Sequence, residues 1–350
     1  MLMQAALREA RRGVGLTSPN PAVGAVIARR TRSGGMRILA RGWHRAAGEP
    51  HAEIEALRAL GDPARARGAT LAVTLEPCST HGRTPPCVGA ILEAGLARVV
   101  IGTLDPNPAH AGRAVPLLEA GGIAVRHGVL EAQCRELNRA FNHWIVTGEP
   151  WVIAKAGLSL DGRIARRPGE SPWITNARSR ADAHRLRARV DAILVGGGTL
   201  RADNPRLTVR GVPGARQPWR VVVSRSGNLP AEAALFTDGH RERTWVFTGE
   251  PLREVLRELG RRGVTSVMIE GGARLLGEAM DARLIHEVCF YIAPVTIGGP
   301  TPVIGGLGVG SNGEAVRLRE VSYRRFGDDL RLTGQVEAVA AGAEATQERR

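Results

Sequence analysis

His51-Ala52-Glu53-Ile54-Glu55-Ala56-Leu57, read together with Leu75-Glu76-Pro77-Cys78 and Cys87, decides the fold of the first part of this chain. Helical periodicity runs over Glu53–Leu60, directly after His51. Leu71–Leu75 reads as a strand that ends in Glu76-Pro77-Cys78, and Val88–Ala94 reads as a helix that follows Cys87 and is closed by Gly95. Helix starts and carboxyl ends of strands are where α/β sheets place their sites. One His and two Cys offer zinc three soft ligands, whereas a structural zinc takes four. Three protein ligands leave a position for water, whose pKa zinc lowers to about 7. Glu53 stands two residues after the His, where it can take a proton from that water and hand it to a leaving amine.

His-x-Glu followed by Pro-Cys and a second Cys is the order found in zinc deaminases of nucleobases. Their usual Cys-x-x-Cys spacing is stretched here, because eight residues, Ser79 to Pro86, separate Cys78 from Cys87. The site closes if that stretch loops out and Cys87 begins a helix. Pro85-Pro86 suits such a start, and a helix N-terminus favours the thiolate. Two other readings stay open. His81 could be a fourth ligand in a closed Cys2His2 site, which leaves Glu53 without a task. The four residues could also be ordinary core and surface residues.

A chain of 350 residues with 43% hydrophobic residues can bury two sizeable cores. No run of 18 apolar residues appears, so no membrane span is expected. The first twelve residues mix Arg and Glu into an apolar pattern and read as an amphipathic helix, not a signal peptide. Four Cys, two of them assigned to metal, point to a reducing cytoplasm, with Cys134 and Cys289 as buried fillers. The net charge is +14, but basic residues are spread along the chain and aromatic residues make up only 4%. Basic runs interleaved with stacking rings are missing, so anionic small molecules are favoured over nucleic acid. Among 48 Lys plus Arg there is a single Lys, Lys155. Arg carries a wide planar fork and Lys a compact point charge. Lys155 therefore marks a place that only an ammonium fits, unless it is one stray residue in an Arg-biased chain.

Two blocks of alternating strand and helix signals are visible. The first opens with a strand at Val23–Ala28, continues through the elements above, and adds Val99–Gly102, a helix at Leu117–Ala120 and a strand at Ile123–Arg126. Thr147-Gly148-Glu149-Pro150 reads as a linker. The second block places strands at Trp151–Ala156, Ala192–Val195, Arg220–Val223, Thr244–Phe247, Val264–Ile269 and Glu287–Ile292, with an antiparallel one near Leu330–Val336. Helices are expected at Arg178–Arg189, Leu252–Arg262 and Ala273–Met280. Gly196-Gly197-Gly198-Thr199 and Glu270-Gly271-Gly272 follow two of these strands. Together they favour a phosphate-bearing ligand, although neither is a GxGxxG fingerprint. The expected division is 1–147, 148–339 and a disordered tail from 340 to 350.

These residues resemble one family. His51-Ala52-Glu53, the string from Thr74 to Cys87, Ser18-Pro19-Asn20-Pro21 and Asp105-Pro106-Asn107-Pro108 look like the deaminase half of the bifunctional riboflavin biosynthesis deaminase–reductases. Lys155, Ser159-Leu160-Asp161-Gly162-Arg163, Trp173-Ile174-Thr175, Ala202-Asp203-Asn204-Pro205 and Leu207-Thr208-Val209-Arg210 match the reductase half in order. The resemblance implies an α/β protein with a three-layer cytidine-deaminase-like domain and a dihydrofolate-reductase-like domain. It implies Zn2+ and NADPH, a diaminopyrimidinone carrying a ribosylamino 5-phosphate as substrate, and a homo-oligomer, dimer or tetramer. Hydrolytic deamination of the ring would be followed by reduction of the ribosyl group to ribityl.

Residue by residue, the resemblance implies that His51, Cys78 and Cys87 hold zinc while Glu53 shuttles protons. Asn20, His44, Arg83, Asp105 and Asn107 would hold the pyrimidine and its phosphate. In the reductase, Lys155 would be catalytic. Ser171, Arg187, Leu207, Arg210 and Glu270 would line the substrate, with Arg187 and Arg210 able to grip a phosphate. Gly157, Trp173, Thr199, Asp203, Arg225 and Gly272 would meet NADPH. Three positions depart from the family pattern: Thr80 stands where relatives often have His, Ser224-Arg225 where Asp-Ser is expected, and Asn204 where a second Asp is common. Two competing readings are an RNA-base deaminase with a second domain that only binds, and a non-catalytic protein with a structural zinc.

Overall fold

The computed structural model describes residues 1–80, 85–164, 173–311 and 314–337. Its first half is built on a five-stranded sheet. The strands are β1 (Gly24–Arg30), β2 (Met36–Trp43), β3 (Thr70–Leu75), β4 (Arg98–Thr103) and β5 (Ala124–Arg126), in the order β2-β1-β3-β4-β5. β1 is antiparallel to β2 and β3, whereas β3, β4 and β5 are parallel. Helices α2 (Ala52–Arg58), α3 (Cys87–Glu93) and α4 (Ala114–Ala120) bury Ala56, Ile91 and Leu118 with Leu71 and Ile101 on one face. On the other face α1 (Leu2–Ala10) and α5 (Glu131–Leu137) bury Leu7 and Cys134 against Val26 and Ala72. Each fully buried Leu or Ile here contributes roughly 2 kcal/mol. The result is three layers with helices on both faces.

Two glycines let helices lie directly on this sheet. A Cβ on Gly24 would come 2.2 Å from the Ala6 carbonyl oxygen of α1. One on Gly42 would come 2.3 Å from both the Ala52 oxygen and the Ala56 nitrogen of α2. Since His51 caps α2, the second contact also sets the height of a zinc ligand above the sheet.

After α6 (Arg139–Thr147), Gly148 turns the chain with φ 74° into an eight-stranded sheet. Its elements are β6 (Trp151–Ser159), α7 (Ala177–Arg187), β7 (Ala192–Gly196), α8 (Gly197–Asp203), β8 (Trp219–Ser224), α9 (Ala234–Thr237), β9 (Thr244–Thr248), α10 (Leu252–Arg261), β10 (Ser266–Glu270), α11 (Ala273–Asp281), β11 (Glu287–Ala293), β12 (Leu318–Phe326) and β13 (Asp329–Val336). The order is β12-β13-β11-β6-β10-β7-β8-β9. The strands from β6 to β11 are parallel, and β13 and β12 form an antiparallel flank on β11. One face is packed by α10 and α11 through Leu256 and Leu276, the other by Ala183 of α7 and Leu200 of α8. This is the expected order: a three-layer α/β half, then a second α/β half on a largely parallel sheet.

The two halves are docked, not merely linked. Trp144 Nε1 donates to the Gly260 carbonyl (2.9 Å), Arg139 pairs with Glu287 (2.7 Å), and Arg216 donates to the Ser18 carbonyl (3.3 Å). Glu149, within the expected linker, pairs with Arg257 at 2.9 Å. The expected amphipathic N-terminus is α1, and Cys134 and Cys289 are buried free thiols. Among the described residues no helix is long and apolar enough to cross a membrane. Strands β2 and β12 and helices α5, α6, α8 and α9 were not expected. β12 is exposed at nearly every position, so it lacks the alternating apolar signature. The expected tail from 340 lies outside the described residues.

Candidate active sites

The strand β3, its exit loop and the starts of α2 and α3 bring the three ligands together. His51 Nδ1 lies 3.4 Å from Cys78 Sγ and 3.3 Å from Cys87 Sγ, and the three donor atoms lie within 4.8 Å of one another. Zinc–sulfur and zinc–nitrogen bonds of about 2.3 and 2.0 Å fit inside such a triangle. Cys87 is the first residue of α3, after Pro86, and its amide donates to Cys78 Sγ (3.2 Å). Hydrogen bonds, from Cys87 first and from His51, pull the Cys78 thiol down to about 4, the thiolate that a metal needs. The start of α3 therefore brings Cys87 to Cys78 despite the long spacing in sequence. His81, the alternative fourth ligand, lies outside the described residues.

Glu53 faces this group from the first turn of α2 and is 3% exposed. Burial pushes its carboxyl up to about 7, against the lowering influence of His51. His44 is also buried; its ring meets His51 edge to face at 5.3 Å. His44 Nδ1 lies 3.1 Å from the Pro50 carbonyl and Nε2 lies 3.0 Å from Asn20 Nδ2, so a single tautomer satisfies both. Asp105 and Asn107 lie on the loop after β4. Glu76 fixes that loop: its buried carboxylate accepts the amides of Asp105 (3.0 Å), Gly112 (2.8 Å) and Ala114 (2.8 Å). Sequence reasoning quoted Glu76 within the Pro-Cys string and assigned it nothing. It also missed His110, whose Nδ1 lies 3.2 Å from Thr80 Oγ1. Arg83 lies outside the described residues.

In the second half, one cleft of about 2350 Å³ opens at the carboxyl ends of the parallel strands. Lys155, Gly157, Trp173, Arg187, Thr199, Asp203, Leu207, Arg210, Arg225, Glu270 and Gly272 all line it, and Ser171 lies outside the described residues. Lys155 and Glu270 are register partners on adjacent parallel strands, which places Lys155 Nζ 3.3 Å from Glu270 Oε2. Arg187, the last residue of α7, closes a fork on Glu270 through Nε–Oε1 (2.6 Å) and Nη2–Oε2 (2.8 Å). Burial alone would raise the Glu270 carboxyl, but the charges of Arg187 and Lys155 outweigh it and hold it well below the usual range.

The Arg187 fork is engaged by Glu270, and its Nη1 also donates to the Thr208 carbonyl (2.9 Å). A buried carboxylate must be paired, and Arg187 is the group that reaches it. Arg210, beside it in the cleft, donates through Nη1 to Thr208 Oγ1 (2.9 Å). The imidazole of His184 accepts the Arg210 amide (3.2 Å), and burial first, then Arg187 and Arg210, push it down to about 4. Tyr291 also lines the cleft, its hydroxyl donating to buried Asp182 (2.8 Å).

The glycine turns of the cleft are made for close backbone approach. Gly196 and Gly272 are the N-cap residues of α8 and α11, and Gly271 and Gly272 have φ +86° and +83°. A Cβ on Gly272 would meet Thr199 Oγ1 at 3.1 Å. Amides at helix starts and a bare glycine surface suit a dinucleotide's phosphates. Of the departures, Arg225 is exposed and pairs with Glu278 at 3.8 Å, and Ser224 Oγ accepts the Gly227 amide (3.2 Å). Asn204 Oδ1 accepts the Ala234 amide (2.8 Å), a role that a second Asp would fill equally.

A family model described as cytidine and deoxycytidylate deaminase zinc-binding region matches residues 1–103, and one described as RibD C-terminal domain matches residues 150–332. The riboflavin biosynthesis protein RibD of Bacillus amyloliquefaciens is 40% identical over 95% of this chain and 94% of its own. The chain belongs to the RibD family. It is a bifunctional riboflavin biosynthesis enzyme, a zinc-dependent deaminase joined to a reductase. Among RibD relatives, that of Mycobacterium tuberculosis (strain ATCC 25618 / H37Rv) is 42% identical over 91% of this chain and 92% of its own. Acinetobacter baumannii RibD superposes with a TM-score of 0.88 at 34% identity, covering 96% of this chain and 98% of that one. A Thermotoga maritima structure described as a diaminohydroxyphosphoribosylaminopyrimidine deaminase/5-amino-6-(5-phosphoribosylamino)uracil reductase has a TM-score of 0.85 at 34% identity, covering 96% and 97%.

Proposed function

We propose that residues 1–147 deaminate a diaminopyrimidinone bearing a ribosylamino 5-phosphate, and that residues 148–339 reduce the ribosyl group of the product to ribityl. The observation that carries the first step is the pairing of a three-donor triangle with a buried carboxylate beside it. Bound by His51, Cys78 and Cys87, zinc supplies hydroxide at neutral pH. Glu53, raised toward neutrality by burial, accepts a proton at its carboxylate and returns it to the departing amine. His44 and Asn20 are locked to each other and present a fixed polar edge to the ring, while Asp105 and Asn107 face it from the loop held by Glu76.

In the second half, the glycine turns after β7 and β10 would hold NADPH, which supplies hydride when bound. Thr199, Asp203, Gly157, Trp173 and Arg225 border it, and burial raises the Asp203 carboxyl. Lys155, held by Glu270, points an ammonium at the sugar, where it assists ring opening or stabilises the oxygen that results. Arg210 binds the phosphate, and Leu207 closes the apolar side. The full-length chain is to be incubated with the ribosyl phosphate, with and without NADPH, and the products weighed by mass spectrometry. Exchange of one amine for oxygen without NADPH, and gain of two hydrogens only with it, is the expected result. Reduction without prior deamination, or no reaction, would overturn the assignment.

A further inference from the structure

The loop from Asp105 to Ala114 forms the rim of the zinc site and is fixed along its length. Glu76 holds three of its amides, Asn107 donates its own amide to Asp105 Oδ1 (2.9 Å), and Asn107 Oδ1 accepts from Ala109 (3.0 Å). His110 stands at the crown. Its amide donates to the Asn107 carbonyl (2.9 Å), and its own carbonyl accepts from Arg113 (3.1 Å). Its ring is fixed as well, by the 3.2 Å contact between Nδ1 and Thr80 Oγ1. Thr80 is two residues beyond the ligand Cys78, and Asp105 lies within electrostatic reach of both His110 and Cys78. Imidazole, acidic loop residue and metal ligand therefore share one neighbourhood.

A half-buried histidine on a surface loop adds nothing to a core, and fixing its ring costs rotamer entropy. With Nδ1 engaged, Nε2 is the atom left to meet a ligand. The amine to be lost must reach Glu53 at the floor of the site. The phosphate, at the other end of the substrate, then lies toward the rim, and phosphate accepts charge-assisted hydrogen bonds from imidazole.

Resting on the deaminase reading above, we propose that His110 is a substrate-binding residue of the deaminase, donating from Nε2 to the substrate phosphate, with Thr80 as the positioning residue that sets its ring. Position 80 lacks an imidazole of its own, and the rim loop brings one beside it.

The test is steady-state deamination by the full-length zinc-loaded chain, using the ribosyl phosphate and its dephosphorylated riboside. His110→Ala is expected to raise KM for the phosphate about tenfold or more, the loss of one hydrogen bond to a charged group, with kcat little changed. KM for the riboside should stay within about twofold, since that compound lacks the acceptor. Thr80→Val keeps the imidazole and frees its ring; it should give a smaller rise with the same dependence on phosphate. Zinc content is measured for each variant, and if His110→Ala fails to fold, Thr80→Val decides. Equal KM rises for both compounds, an unchanged KM for the phosphate, or a fall in kcat alone would overturn the proposal. If the unmodified chain deaminates neither compound, the deaminase reading falls with it; if it deaminates both and the variants do not discriminate, only the His110 assignment falls.

Discussion

Glu53 and Lys155 are single residues whose chemistry follows from what surrounds them. Glu53 is a carboxyl raised toward neutrality by burial beside the metal ligands. Glu53→Gln keeps the volume and removes the proton carrier. Metal analysis should therefore show zinc retained, while deamination falls by about a thousandfold, as expected when a positioned general acid–base is lost. Turnover at the unmodified rate would remove Glu53 from the mechanism. Lys155 is the only ammonium side chain in the chain, and its partner Glu270 already has both oxygens in the Arg187 fork. Lys155→Arg would place a second planar guanidinium against that pair. Reduction should drop by about a hundredfold, with deamination unchanged. Measuring both rates on one preparation separates these outcomes. Equal reduction in both proteins would make Lys155 an accident of coding bias.

At the scale of elements, the zinc site depends on how closely α2 lies on β2. Gly42 is the point of contact, and a Cβ there would overlap backbone atoms of Ala52 and Ala56 at 2.3 Å. Backbone cannot rotate aside as a side chain can. Gly42→Ala should therefore lift α2, lower stability by about 1–3 kcal/mol and weaken zinc retention against a chelator. Identical melting and chelation curves for the variant and the parent would show that α2 has slack. The elements that could be read in the sequence were those with a buried apolar face. β3, with five of six residues buried, and α10, with Leu252, Val255, Leu256 and Leu259 inside, announce themselves by periodicity. β2 and β12 did not, because most of their residues meet solvent and their pairing is decided by the neighbouring strand. α8 was hidden because it begins with two glycines, which read as a turn.

At the scale of the whole molecule, the junction between the halves contains a half-buried aromatic cluster. His286 stacks on Trp151 at 4.7 Å and meets His143 at 4.3 Å, and its Nδ1 accepts the Val152 amide at 3.0 Å. Burial, then the neighbouring His143, pushes the His286 imidazole from 6.5 down to about 3. The folded chain keeps this ring neutral where the unfolded chain protonates it. Its contribution to stability is complete above about pH 6.5 and is lost as the pH drops toward 3, by on the order of a few kcal/mol. Thermal melting between pH 7 and 4 should show a shallower fall for His286→Gln than for the parent. Parallel curves would place the acid sensitivity elsewhere.

The ligand types, their order and the attendant Glu53 are chemical identities, so the sequence by itself determined the zinc chemistry and the class of both halves. It also singled out Lys155, since composition alone makes it unique. Four things were decided only by the tertiary structure. Glu270 lies on a strand 115 residues from Lys155, and only the parallel register makes them neighbours. Arg187, 83 residues from Glu270, closes its fork on the same group, because a buried carboxylate must be neutralised by the cations that reach it. His110 is joined to Thr80, and the two halves are docked through Trp144 and Gly260, by contacts between segments far apart in the chain. Periodicity and motif spacing report local geometry, whereas these contacts depend on how whole layers pack. The packing sets distances that no local pattern encodes.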